Sequence, residues 1–286
     1  MNLNSVSIIT IAYNSSKTIG ALLNSIYTNR EYVREVILID NNSADQELVR
    51  EICEQYKTKL ELTFICSQNI GFGRSSNLGA KNSKGQYLLF LNPDTELRNN
   101  SLKVLLEHFT THIADIMGGK ALSSENRVHG TVVRKPTLFI GLFEFSNLGK
   151  LSHTNLAHRL FYYEDLQVLS SEQDKEVDVV SGAYMLVSKE SFTKLGGFDE
   201  NIFMYLEDVD LCVRAKNLGL KVMFCPHSII RHIGGASSQN KYKINHQAWF
   251  SSRKYYFNKH FRLLTNIIIQ PIYTIEEFVL KISRNL

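Results

Sequence analysis

The residues best placed to do chemistry in this 286-residue chain are carboxylates that follow or interrupt apolar runs. Glu207, Asp208 and Asp210 lie within four positions, flanked by large apolar side chains. On a helix, Glu207 and Asp210 share a face at i and i+3, with Arg214 one turn beyond Asp210. That arrangement makes Asp210 structural, neutralised by Arg214, and leaves Asp208 to take a proton from a substrate. Asn92-Pro93-Asp94 closes an apolar run, where a carboxylate can hold a divalent cation against a diphosphate; a helix cap is the plainer role for Asp94. His227 and His232 come late in the chain, and either is a packed residue or a ligand. Gly71-Phe72-Gly73-Arg74-Ser75-Ser76 approaches a dinucleotide fingerprint but has Ser76 in place of the third glycine, so a tight turn is as good an account.

These groups must be carried by regular elements, and the hydrophobic periods say which. Runs at 6–12, 36–39, 60–66 and 87–91 read as buried strands, and helical periods fall at 17–28, 46–57 and 73–81. Strands alternating with helices predict a mostly parallel sheet, with ligands beyond the carboxyl ends of its strands. Asp40 and Asp94 stand at two of those ends. Further helices are expected at 102–109, 190–195 and 205–218, and strands at 177–187, 222–225 and 229–232. The stretch 118–176 shows no clean period and reads as irregular structure shaping an acceptor site. The tail from about 245 reads as helical.

Composition is that of a globular protein, 44% hydrophobic and 21% charged. Cys53, Cys66, Cys212 and Cys225 form no Cys-x-x-Cys pair, which argues against a structural zinc site and fits a reducing compartment. No uninterrupted apolar run reaches the roughly 18 residues of a membrane span, and 6–12 is too short for a signal core. A cytoplasmic protein is expected. The net charge of +4 is uneven: residues 239–286 hold eight basic and two acidic side chains. Tyr255, Phe257, Phe261, Leu263 and Leu264 interleave there with Arg253, Lys254, Lys259 and Arg262. Such a tail suits an anionic inner-leaflet membrane surface, peripherally bound, or packs on the main domain. No nucleic-acid-binding motif accompanies it.

In this order, segments 6–14, 36–45, 69–79, 88–95 and 182–214, with Gly196-Gly197-Phe198-Asp199 ahead of Glu207-Asp208, resemble the inverting glycosyltransferase family 2, and its rhamnosyltransferase-like branch in particular. The resemblance implies a GT-A fold: an α/β catalytic domain over 1–238, nucleotide-binding to about 117 and acceptor-binding beyond, with a basic helical extension over 239–286. It implies a nucleotide-diphospho-sugar donor, lead L-rhamnose on thymidine diphosphate, and a glycan acceptor on a polyprenyl diphosphate. Donor binding would fall to Thr10, Tyr13, Asn14, Asp40, Asn42, Asn69, Gly71, Phe72, Asn77, Asn92 and Asp94. A divalent metal, Mn2+ or Mg2+, would be held by Asp94 and His232, with Asn92 replacing the first acid of the family's metal motif by a neutral oxygen. Asp208 would be the catalytic base beside Glu207, and Gly182, Tyr205, Glu207 and Asp208 would meet the acceptor. A non-catalytic nucleotide-sugar-binding protein on the same fold is the alternative.

Overall fold

The structure, a computed structural model, describes residues 4–128, 131–150, 155–163, 168–233 and 242–284. Its first half alternates strand and helix: β1 (Val6–Ala12), α1 (Ser16–Thr28), β2 (Val33–Asn41), α2 (Gln46–Glu54), β3 (Leu62–Ser67), α3 (Phe72–Asn82) and β4 (Tyr87–Leu91). The second half runs β5 (Thr95–Leu97), α4 (Ser101–Thr111), β6 (Ile116–Leu122), β7 (Val132–Val133), α5 (Leu138–Phe143), α6 (Leu156–Phe161), β8 (Lys175–Glu176), β9 (Val179–Val180), β10 (Tyr184–Ser188), α7 (Lys189–Lys194), α8 (Glu207–Asn217), β11 (Val222–His232), α9 (Tyr242–His260) and α10 (Leu263–Arg284).

Among the described residues the main sheet has the order β3-β2-β1-β4-β10-β6-β11-β5, with β8 on β11. The first four strands pair in parallel, and β10 runs antiparallel between β4 and β6. All of β1 is buried, as expected of a strand covered on both faces. Its alternation divides the core: Val6, Ile8 and Ala12 join the cluster that α1, α2 and α4 cover, while Ile9 and Ile11 join the one containing residues of α5, α8 and α9. The strand order turns back between β1 and β4, so their carboxyl ends open a crevice.

Two expectations from the sequence need correcting. Residues 118–176 are not uniformly irregular. They hold most of β6, a central strand whose apolar run is interrupted by Gly118 and Gly119. Glycine is there for close approach, since a Cβ on Gly119 would lie 2.4 Å from the Tyr184 ring and 2.5 Å from the Ser228 carbonyl. The strands expected at 222–225 and 229–232 are one strand, β11, with a register shift between Cys225 and Ile229.

The tail is helical and packs on the main domain, one of the two courses that its sequence left open. A boundary at 238/239 falls outside the described residues, as do Lys241 and the Gly234–Ser237 run. Beyond it, α9 joins the core through Tyr256 and Phe257. Arg253 is 0% exposed and reaches Glu276 and the Phe145 carbonyl, and its guanidinium lies over the Tyr273 ring. Lys254 pairs with Glu277, and Lys259 with Asp199 and Asp210. Arg253 and Lys254 are thus paired within the tail, with acids of α10, and Lys259 is paired with two acids of the main domain. Leu264 lies outside the described side chains.

Candidate functional site

The crevice widens into a cleft of about 930 Å³, within the usual size of small-molecule sites. One wall is the turn after β4. The Thr95 hydroxyl donates to the Asn92 carbonyl at 2.6 Å, and the Asn92 N–H donates to the Ala183 carbonyl ahead of β10. β5 then pairs antiparallel with β11, setting Thr95 opposite His232. That register brings together residues 138 positions apart in the chain: His232 Nε2 lies 3.3 Å from Asp94 Oδ1, and both side chains and Asn92 line the cleft. One carboxylate, one imidazole and a neutral amide oxygen on a single wall suit a divalent cation, so the residues present fit the metal that the sequence resemblance implies.

The opposite chemistry sits at the start of α8. The helix opens at Glu207, two residues later than its periodicity suggested, because Tyr205 and Leu206 are both left-handed (φ 71° and 67°). Such backbone costs of order 1–3 kcal/mol per residue and collects at functional sites. Here it turns the chain so that two adjacent acids enter the cleft. Asp208 accepts from the Gly182 N–H at 2.9 Å and the Val209 N–H at 2.8 Å, one on each oxygen. Glu207 Oε2 is buried without a hydrogen-bond partner. Burial pushes both carboxyls up, Glu207 to about 8 with the Asp208 charge adding to it, while the two N–H donors work against the rise at Asp208. The two backbone donors favour the charged form on Asp208, and Glu207 has no donor on its buried oxygen.

Asp210 points elsewhere, as its spacing from Glu207 and Arg214 implied. Burial opposes its ionisation, but His260, Lys259 and Arg214 outweigh it and hold the carboxyl below the usual range. Arg214 also donates to the Leu195 and Gly197 carbonyls. The helix bearing Asp208 is thereby fastened both to the loop before it and to α9.

The expected donor residues divide. Tyr13, Asn69, Gly71, Phe72, Asn92 and Asp94 line the cleft. Gly71 has φ +90°, and a Cβ there would meet the Phe203 carbonyl at 2.2 Å, so the glycine-rich stretch is a close approach of two loops. Asp40 stands behind the lining, with Oδ1 accepting from Ser43 and Gln46 and Oδ2 buried without a partner. Thr10, Asn14, Asn42 and Asn77 do not line the cleft. Thr10 lies on the face of β1 that packs inward and donates to the Leu91 carbonyl. Asn14 accepts from Ala44, tying two strand ends together. Asn42 is exposed, and its neighbour Asn41 turns in, donating to Asn69 and accepting from Ser75. Asn77 exchanges hydrogen bonds with the Phe198 backbone. Period-2 alternation applied at the end of β2 would have chosen Asn41.

Gly182, Tyr205, Glu207 and Asp208, expected to meet the acceptor, all line the cleft. The sequence did not single out the aromatic floor there. Trp249 of α9, the chain's one tryptophan, meets the Tyr205 ring at 6.0 Å and the Phe145 ring at 5.1 Å, and Phe161 and Tyr162 complete the surface. The tail thus contributes to the cleft as well as to the core.

The sequence profile described as "Glycosyltransferase like family 2" matches residues 4–252. The chain belongs to that family. Among family 2 relatives, it is 28% identical over 230 residues to "Rhamnosyltransferase WbbL" of Escherichia coli K12, spanning 77% of this chain and 80% of that protein. It is 24% identical over 237 residues to "N-acetylglucosaminyl-diphospho-decaprenol L-rhamnosyltransferase" of Mycobacterium tuberculosis, spanning 79% and 75%. The fold is GT-A. It superposes on a mannosyltransferase from Pyrobaculum calidifontis, solved with GDP-mannose and Mn2+, with a TM-score of 0.62 at 15% identity, covering 100% of this chain and 77% of that one.

Proposed function

We propose that this family 2 glycosyltransferase moves a sugar from a nucleoside-diphosphate donor to a hydroxyl of a growing bacterial surface glycan, by single displacement with inversion. The observation that carries this is the asymmetry of the acid pair in the cleft. Asp208 has two backbone N–H donors to hold its charge, and Glu207 has a buried oxygen with none. An acceptor hydroxyl presented to Asp208 gives up its proton as its oxygen attacks the anomeric carbon. Glu207, neutral beside it, adds no second charge to repel the attacking oxygen. The bond from that carbon to the diphosphate breaks with its electron pair, and the configuration inverts.

The donor end is read the same way. The lone buried oxygen of Asp40 suits a base N–H, with Tyr13, Asn69 and Phe72 nearby on the wall. Asp94 and His232 would hold a divalent cation, which when bound offsets the charge gathering on the leaving diphosphate. The names of the relatives favour L-rhamnose as the sugar and an acceptor carried by a polyprenyl diphosphate; thymidine diphosphate is the nucleotide that the sequence resemblance implies. Among the described residues no helix is long and apolar enough to cross a membrane. One side of α10, however, exposes Leu263, Ile267, Ile275, Phe278 and Ile282, with Arg262 and Lys281 towards its ends and Glu276 and Glu277 turned inward onto Arg253 and Lys254. That surface supports peripheral docking on an anionic cytoplasmic leaflet, where a lipid-linked acceptor would lie. The deciding experiment is transfer from dTDP-rhamnose by the wild type and by Asp208→Asn, with donor binding measured by calorimetry. Loss of transfer with binding retained is expected; transfer undiminished in the variant would remove Asp208 from its role.

A further inference from the structure

Away from the cleft, three segments distant in sequence converge on one carboxylate. Asp174, just ahead of β8, has a side chain only 3% exposed. Its Oδ2 lies 2.6 Å from His108 Nδ1 and 2.9 Å from His112 Nε2. The two histidines reach it together because a spacing of four puts them on one face of α4. Its Oδ1 is buried with no hydrogen-bond partner. Cys225 is fully buried at the register shift of β11, and one donor atom from each of His108, Asp174 and Cys225 lies within 4.8 Å of the others. His227 sits beside them, its ring 5.8 Å from that of His108 and its Nε2 2.6 Å from the Glu172 carbonyl. None of these residues lines the cleft.

An ion pair accounts for Oδ2 and the two imidazoles. It leaves Oδ1 without a hydrogen bond of ordinary length, and a buried thiol beside the same carboxylate, within reach of it and of the His227 and Ser228 N–H groups. We infer that His108, Asp174 and Cys225, with His112 as fourth donor, form a site for a Zn2+-like transition-metal ion. Nitrogen, sulfur and carboxylate donors are the set that such an ion takes in four-coordinate geometry, whereas Mg2+ prefers oxygen alone. Bond lengths of about 2.0–2.3 Å place tetrahedral ligands roughly 3.5 Å apart. The groups now at hydrogen-bond distance must spread by less than about 1 Å, the sulfur starts within 4.8 Å of its partners, and the exposed His112 must swing in to complete the set. Burial pushes the Cys225 thiol up to about 12, so it carries its proton until the ion binds; the proton then leaves to solvent as the Zn–S bond forms. The absence of a Cys-x-x-Cys pair does not bear on a site built from one cysteine. Its role would be to clip α4, the segment before β8 and β11 together. It does not depend on the sugar-transfer reading.

The test is Co2+ titration of the full chain after chelator treatment, in a Cys66→Ser background that removes the exposed thiol. One equivalent of Co2+ giving tetrahedral visible bands and a near-ultraviolet thiolate charge-transfer band is expected. That band should vanish in Cys225→Ser, persist in Asp94→Ala, and need at least about 10–100-fold more Co2+ in His108→Gln. His108 is partly exposed, so its variant keeps the test open if Cys225→Ser does not fold. No thiolate band in the folded parent, a band surviving Cys225→Ser, or a band lost with Asp94→Ala would each overturn the site.

Discussion

Two neighbouring carboxylates with the same neighbours in sequence acquire different chemistry from a handful of backbone contacts. Asp208→Asn keeps the shape and loses the base, and it is predicted to lower kcat by about 10²–10⁴-fold with little change in donor affinity, checked by steady-state rates and calorimetry. Because burial raises the Asp208 carboxyl, the acid limb of the rate profile should lie above the ordinary aspartate range. Glu207 allows a separate stability prediction. Its folded-state value is raised to about 8, so its contribution is fully present below the ordinary glutamate range and is lost as pH rises through about 8. Glu207→Gln, isosteric with the protonated acid, should flatten that fall, and melting temperatures from pH 5 to about pH 8 would show it. A wild-type Tm with no decline across that range would mean Glu207 is ionised in the fold.

At the scale of elements, α8 is held in place by ion pairs both within the helix and to α9. Asp210 takes Arg214 from its own helix and Lys259 and His260 from α9. Asp210→Ala leaves Arg214 and Lys259 without their shared acid and is predicted to cost about 3–5 kcal/mol in urea denaturation. Asp199→Ala removes one of the two acids on Lys259 together with the acceptor for Tyr255 and Asn201, but leaves Asp210 to hold Lys259, and should cost less. The glycines of β6 make a packing prediction. Gly119→Ala puts a methyl against the Tyr184 ring and the Ser228 carbonyl, and should destabilise by about 1–3 kcal/mol or more, because one of the two neighbours is backbone.

For the whole molecule, the question is what the last 45 residues do. Their inner surfaces complete the core and the cleft: Phe257, Ile269 and Tyr273 are fully buried, and Trp249 lines the cleft. Truncation before α9 would therefore test folding rather than docking. The outer stripe of α10 can be tested by itself. Ile275→Asp with Phe278→Asp should abolish co-flotation with anionic vesicles while leaving Tm and transfer to a water-soluble acceptor unchanged. Equal flotation of variant and parent would show that the stripe does not meet lipid.

Local patterns determined much of this protein. The alternation of buried strands and amphipathic helices through Leu91 dictated the parallel half of the sheet, and a carboxylate at a strand's end placed Asp94 at its mouth. The i, i+3 and i+4 spacing of Glu207, Asp210 and Arg214 separated the structural acid from Asp208, since helix geometry is the same in every fold. Three things were decided only in three dimensions. The pairing of β5 with β11 sets His232 beside Asp94, and no local period encodes the register of strands so far apart in sequence. The left-handed Tyr205 and Leu206 have no glycine to announce them; tertiary contacts impose that backbone. The destination of the basic tail was likewise open, because a run of cations fits a membrane or buried acids equally well until the fold shows where Asp199, Asp210, Glu276 and Glu277 lie.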